Sequence, residues 1–289
     1  MVVIIGSLIV IFSVIGGFMF AGGPVKTLIQ ISEFIVIGGA AAGSLVIMSP
    51  VKVMKDLIGK ILLSLKGSPY TKAAYIELFK ALYELFLLGR RNGMIALEEH
   101  VLNPKSSSIF SKYPTFVNNH HAIEFLCGGL RPIIDGKIKP DQLKVLLETE
   151  IECMEEEHHA PISVLTKCAD AMPGFGIVAA VLGIVITMGA INGPIEMIGH
   201  HVAAALVGTF LGIFISYGFL NPLAVNIEFI NLSEASYIKC ISASVAGFAG
   251  GMAPIMAIEI ARRGLTSDVK PNADELEEML KGLGTPGKK

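Results

Sequence analysis

Between Ala171 and Ile227 the sequence carries one charged residue, Glu196, and between Met1 and Val51 it carries only Lys26 and Glu33. Nothing else constrains the fold of this chain as strongly. Stretches this long and this poor in charge have no polar face to turn to water, and they flank a block that is normally charged. A single soluble domain and a disordered chain are both excluded, leaving an integral membrane protein. Charged residues make up 17% of the chain, against about 25% in soluble domains. The net charge is −2 and no basic patch stands out, which argues against nucleic-acid binding.

A membrane helix needs roughly 20 mainly apolar residues. Residues 2–20, 28–48, 173–191 and 202–220 qualify, the second with Gln30, Ser32 and Glu33 at its outer end. The first two are joined by a turn at Gly22, Gly23 and Pro24, and the last two by a loop holding Asn192, Gly193, Pro194 and Glu196. The expected fold is therefore an all-α integral membrane protein, with four transmembrane helices in two hairpins and a helical cytoplasmic domain. Its expected parts are a hairpin over 1–48, the domain over 49–172, a second hairpin over 173–223, and a cytoplasmic helix and tail over 224–289. The N-terminal stretch has no basic residue before it and is long for a cleaved signal, so it reads as a retained span. Fifteen of the 23 basic residues lie between 49 and 172, with Lys52, Lys55 and Lys60 close behind the second span. By the positive-inside rule both termini and the middle segment are cytoplasmic. Residues 241–260 are apolar but rich in Gly, Ala and Ser and contain Pro254. They read as a helix packed on the cytoplasmic side, since a fifth span would put Arg262 and Arg263 at an outer end.

In the middle segment Ser68-Pro69 is expected to open a helix, with Ile76, Phe79, Tyr83, Phe86 and Leu87 at helical spacing. Asn92-Gly93 interrupts it and Asn103-Pro104 closes the next. A further helix is expected from Pro140 to about His158, lined by Leu143, Leu147, Ile151 and Met154. Residues 273–281 read as a short acidic helix and 282–289 as a frayed tail. Cys127, Cys153, Cys168 and Cys240 form no CxxC pair and read as reduced structural thiols.

Sites for chemistry are not apparent. The pairs His120-His121, His158-His159 and His200-His201 place adjacent rings about 100° apart on a helix, so they do not chelate as i, i+4 pairs would. There is no HExxH, Walker A, GxSxG or GxGxxG, so no enzyme active site, metal or cofactor is expected. Small residues instead recur every four positions: Gly176 and Ala180; Ala179, Gly183 and Thr187; Ala204, Gly208, Gly212 and Ser216. Such spacing lets membrane helices approach closely, either hairpin against hairpin or against other subunits. No ionisable group is expected deep in any span, where only the hydroxyls of Thr187, Thr209, Ser216 and Tyr217 are available. Proton-driven machines usually need such a group, so a partner would have to bring it.

Three segments carry a resemblance: YTKAAYIELFKALYELFLLGRRNGMIALEEHVLNP from Tyr70, PGFGIVAAVLGIV from Pro173 and VGTFLGIFISYGFLNPLA from Val207, with KPNADELEEML near the end. With these the chain resembles the MotA-type stator subunit of the bacterial flagellar motor over nearly its whole length. The ExbB/TolQ energy couplers of outer-membrane processes are the alternative, since they share the PxFGIV-type unit. The resemblance implies a multi-pass protein of the bacterial inner membrane, a homo-oligomeric, pentameric ring in lipid. That ring encloses a MotB-type single-span partner that supplies the ion-carrying Asp, and it pushes the rotor protein FliG.

The same resemblance implies rotor contact at Arg90 and Glu98, and more weakly at Glu150. On the residues alone Arg90 and Glu98 read rather as a local ion pair or a solvated face. It implies conformational coupling at Pro173 and Pro222, which otherwise read as helix terminators, and an ion pathway at Ala180 and Thr209. Sodium-using members tend to carry a hydroxyl on the third span; Ala180 offers no oxygen there, so proton coupling is expected.

Overall fold

The computed structural model describes residues 2–284, and they fold into helices joined by turns. In chain order these are α1 (Val2–Phe20), α2 (Ile31–Met48), α3 (Val51–Lys66), α4 (Lys72–Asn92), α5 (Glu98–Leu102), α6 (Pro114–Val117) and α7 (His120–Ile134). There follow α8 (Pro140–Gly189), α9 (Ile195–Ile215), α10 (Asn221–Ala249), α11 (Pro254–Arg263) and α12 (Ala273–Gly284). No strand occurs among the described residues. Four helical stretches are long and apolar enough to cross a membrane, beginning at Val2, Val25, Pro140 and Ile195. The chain divides into two units, residues 1–67 with 157–230, and residues 68–156 with 231–289.

The first unit holds the apolar helices. Residue for residue α1 is apolar all round, and it buries none of its side chains within the chain, as expected of a helix whose surroundings are lipid or another subunit. Gly22, at φ 82°, makes the turn out of α1, a conformation that costs any residue with a Cβ. A short 3-10 turn, Val25–Leu28, follows, so α2 starts at Ile31, later than the expected 28. Ile37 and Ala41 of α2 pack with Cys168, Met172, Ala179, Val207 and Leu211. The amphipathic α3, not foreseen in the sequence, sets Leu57 against Leu165, Ala224 and Ile227. The loop after α8 is shorter than expected. Pro194 stands just before α9, which begins at Ile195 and takes in the stretch up to His201 as helix.

The second unit has a dense core. Here α4 is buried nearly all round: Tyr75, Leu78, Phe79, Leu82, Leu85 and Phe86 are each almost fully covered. Its cap is Thr71, which accepts a hydrogen bond from the Ala74 N–H; Ser68 bonds the Tyr70 N–H instead and starts no helix. Phe86 stacks on Phe248 with centroids 4.3 Å apart, and Tyr70 and Tyr75 both pack on Tyr237. Residues 241–260 are not one helix. They form the end of α10 and most of α11, separated by a turn at Gly251 (φ 87°), and Ile241, Val245, Ala257 and Ile258 sit in this core. Burial pushes the Cys127 thiol up to about 11, which suits a structural thiol. The tail expected from residue 282 starts as helix, because α12 runs to Gly284; residues 285–289 lie outside the described residues.

Candidate functional site

The α8–α9 pair closes along a seam of small residues. A Cβ on Gly212 would stand 2.5 Å from the Met172 carbonyl oxygen, and one on Gly176 would stand 2.7 Å from the Gly208 carbonyl oxygen. Gly183 meets Ala205 in the same way, at 2.8 Å. Backbone thus lies against backbone, the geometry small residues allow in membranes. The seam uses Ala205 where the four-residue spacing pointed to Ala204.

Ala180 and Thr209 both lie on this seam, each against a glycine of the facing helix. The Cβ position of Gly208 is 3.4 Å from the Ala180 nitrogen, and that of Gly176 is 3.2 Å from the Thr209 Cα. Both residues are half-buried. Thr187, two turns further along α8, donates its hydroxyl proton to the Gly183 carbonyl at 2.8 Å.

The two prolines do not terminate their helices. Pro173 lies inside α8, and Pro222 is the second residue of α10, directly after a π-turn at Ser216–Leu220. Proline has no N–H for the carbonyl four residues earlier, which for Pro173 is the Ala169 oxygen. The fully buried Ser216 supplies the missing donor, its hydroxyl giving a 2.7 Å bond to that oxygen. Ser216 also opens the π-turn, where the Asn221 N–H bonds the Ser216 carbonyl. Wide turns of this kind absorb a break in the helical ladder. The gap left by one proline is therefore filled from the turn that precedes the other.

Glu33 stands at an end of its helix, and it is buried there. It is 6% exposed, in the first turn of α2. Its Oε2 lies 2.5 Å from the position a Gly208 Cβ would take, and has no hydrogen-bond partner among the described residues. An unpaired buried charge is costly, and a helix start returns only ~0.3–1 kcal/mol. The sequence contained this residue but not its burial, which depends on how far α2 is offset along α9.

In the second unit Arg90 is on the last turn of α4, and Glu98 is the first residue of α5. Gly93, at φ 85°, reverses the chain between them, and Leu97 folds back onto Gly89, whose Cβ position would be 3.1 Å from Leu97 Cδ1. Arg90 and Glu98 each adjoin one member of that contact, so both stand at one corner. Both are exposed, and no ion pair joins them among the described residues. Glu150, on α8, is also exposed and makes no hydrogen bond or ion pair with either.

Residues 4–93 match the family described as Motility protein A N-terminal, and residues 118–228 match the MotA/TolQ/ExbB proton channel family. Motility protein A of Escherichia coli is 35% identical over 99% of this chain and 97% of its own length. Chemotaxis protein LafT of Vibrio parahaemolyticus is 39% identical over 96% of this chain and 97% of its own. In structure the chain is similar to the C. jejuni MotAB structure, at a TM-score of 0.76 and 21% identity over 92% of this chain and 96% of that one. It is also similar to the flagellar MotAB stator complex from Bacillus subtilis, at 0.73 and 22% over 95% and 98%. These two structures share its fold.

Proposed function

This chain belongs to the MotA/TolQ/ExbB proton channel family, among its motility protein A members, and we propose from that premise that it is the ion-conducting stator subunit of a flagellar motor. It is a multi-pass membrane protein of a channel family, and the full-length relatedness to motility proteins favours the motor over an ExbB/TolQ-like coupler. In this reading it sits in the bacterial inner membrane with both termini in the cytoplasm, in keeping with the basic residues of 49–172. Copies form a pentameric ring around a MotB-type partner, whose Asp carries the ion past Ala180 and Thr209. The observation that supports the assignment is the relatedness to motility proteins over nearly the whole chain, and Ala180 and Thr209 both lie on the closed α8–α9 seam.

Proton coupling follows from the same pair. Sodium must exchange several waters for oxygen ligands, a proton needs only an acceptor, and Ala180 supplies no oxygen. Movement of the seam passes through the Ser216 bond to the Ala169 carbonyl, which Pro173 leaves without a backbone donor, and the π-turn before Pro222. Arg90 and Glu98, with Glu150 as a further contact, push FliG. Each elementary charge falling through 100 mV releases about 2.3 kcal/mol, several times RT.

The test is co-expression with a cognate single-span partner in a non-motile host. Motility and proton flux are expected only with both chains present, with speed indifferent to replacing sodium by potassium. Thr209→Val is expected to lower speed more than Thr187→Val. Substantial flux through this chain alone would refute the partner-dependent reading, and a motor that stops without sodium would refute the proton assignment.

A further inference from the structure

The geometry points to Glu33 as a second cation-accepting site, contributed by this chain itself, at the level of Thr209. It would hold the transported cation, a proton in the reading above, on its way to or from the partner's carboxylate. The inference rests on the stator reading and adds to it a site that the motility-protein resemblance did not supply.

Three observations carry it. First, the acceptor is buried and unspent: Glu33 is 6% exposed and its Oε2 has no donor among the described residues. Buried polar groups are nearly always hydrogen-bonded, and an unpaired carboxylate in apolar surroundings is stable only when a proton or a cation joins it. Second, a space is built for it. Gly208 is the one residue type that admits the carboxylate, since a Cβ would meet Oε2 at 2.5 Å, with the Ala179 Cβ at 3.1 Å on the α8 side. Helices α2, α8 and α9 thus converge on one oxygen. Third, the location matches: Thr209 follows Gly208 directly, and the Ala180 nitrogen borders the same notch.

Among the described residues no charged side chain pairs with the carboxylate. Glu33 is the only charged residue of α2, α8 has none beyond Asp170, and α9 has Glu196 in its first turn with the titratable His200 and His201 about two turns before Gly208. The 3-10 turn before α2 carries Lys26, which is exposed and makes no ion pair among the described residues. The hydroxyls of Thr27 and Thr187 are already donated to the Pro24 and Gly183 carbonyls. Within the described residues no donor is left for it, and a mobile cation is a partner that the chemistry accepts.

The assembled complex of this chain with its single-span partner, reconstituted in lipid vesicles, provides the test. Flux is measured against external proton concentration and, separately, against sodium, for the native chain, Glu33→Gln and Glu33→Asp. Gln keeps the shape and removes the acceptor charge; Asp keeps the carboxylate. The expected result is that Gln raises the half-saturating ion concentration about tenfold, the equivalent of ~1.4 kcal/mol, with the maximal flux nearly kept and Asp close to native. The titration that shifts identifies the ion. An unchanged concentration dependence in Gln, with the native complex conducting, overturns the site. So does a uniform loss at every concentration, which marks Glu33 as packing or assembly. A native complex that does not conduct overturns the stator reading and this inference with it.

Discussion

Removing the Ser216 hydroxyl tests the link between the two prolines, because its effect depends on what stands at position 173. In the native chain Ser216→Ala leaves the Ala169 carbonyl without the donor that Pro173 cannot provide. In water-soluble cores an orphaned acceptor costs ~1–3 kcal/mol. Interhelical bonds in membranes average ~0.6 kcal/mol with a maximum near 1.7, because the dispersed helices also find partners. Ser216 is fully buried and its bond is short, at 2.7 Å, so a loss of ~1–1.7 kcal/mol is expected. Pro173→Ala restores a backbone N–H to the same carbonyl. In that background Ser216→Ala should cost only a few tenths of a kcal/mol, for a coupling of ~1 kcal/mol. Reversible unfolding in mixed micelles of the native chain, both single variants and the double variant measures the cycle. Equal costs of Ser216→Ala in the two backgrounds, within ~0.3 kcal/mol, would refute the reasoning, since the hydroxyl would then have no connection to the proline gap.

Gly212→Ala forces a methyl to 2.5 Å from the Met172 carbonyl oxygen; it should destabilise the hairpin by ~1–3 kcal/mol, whereas Gly174→Ala, with open space at its Cβ, should be neutral or slightly stabilising in the same micelle assay. Arg90→Glu and Glu98→Lys should impair swimming while changing the thermal stability of this exposed corner by no more than ~0.5 kcal/mol, and unfolding by the pair would leave only a structural role. Pro222→Ala allows the π-turn to tighten into α-helix, so amide exchange around 216–222 should slow and motor output should fall. Glu259 is held at about 2, first by its hydrogen bond to Arg262 and then by Arg263. Because the folded value is the lower one, its stabilisation is complete above the unfolded carboxyl value of ~4.3 and is lost as pH falls towards 2. An unfolding series from pH 6 to 2.5 should show a decline that Glu259→Gln flattens.

Much of the candidate site could be read from the chain because membrane partition depends on local composition. Helices about 20 residues long and nearly free of charge are expelled from water whatever their neighbours, so four spans, two turns and the small-residue seam are visible in the residues alone. The breaks at Asn92-Gly93 and Asn103-Pro104 are visible for an equally local reason, since Gly and Pro restrict or free the backbone at their own positions. Long-range registry is not local. The sequence places Glu33 near an end of its span, and only the offset of α2 along α9 sets that carboxylate against Gly208. Pro173 and Pro222 look like helix ends. The structure keeps α8 running through Pro173 and meets its gap with Ser216, a residue 43 positions away (216 − 173) that no periodicity connects to it. Amphipathic α3 and the split of 241–260 into α10 and α11 likewise depend on which surfaces the core can cover. The sequence by itself determined what must leave water; the tertiary structure decided which buried polar atoms find partners, because hydrogen bonds and unpaired charges depend on distances of a few tenths of an ångström between segments far apart in the chain.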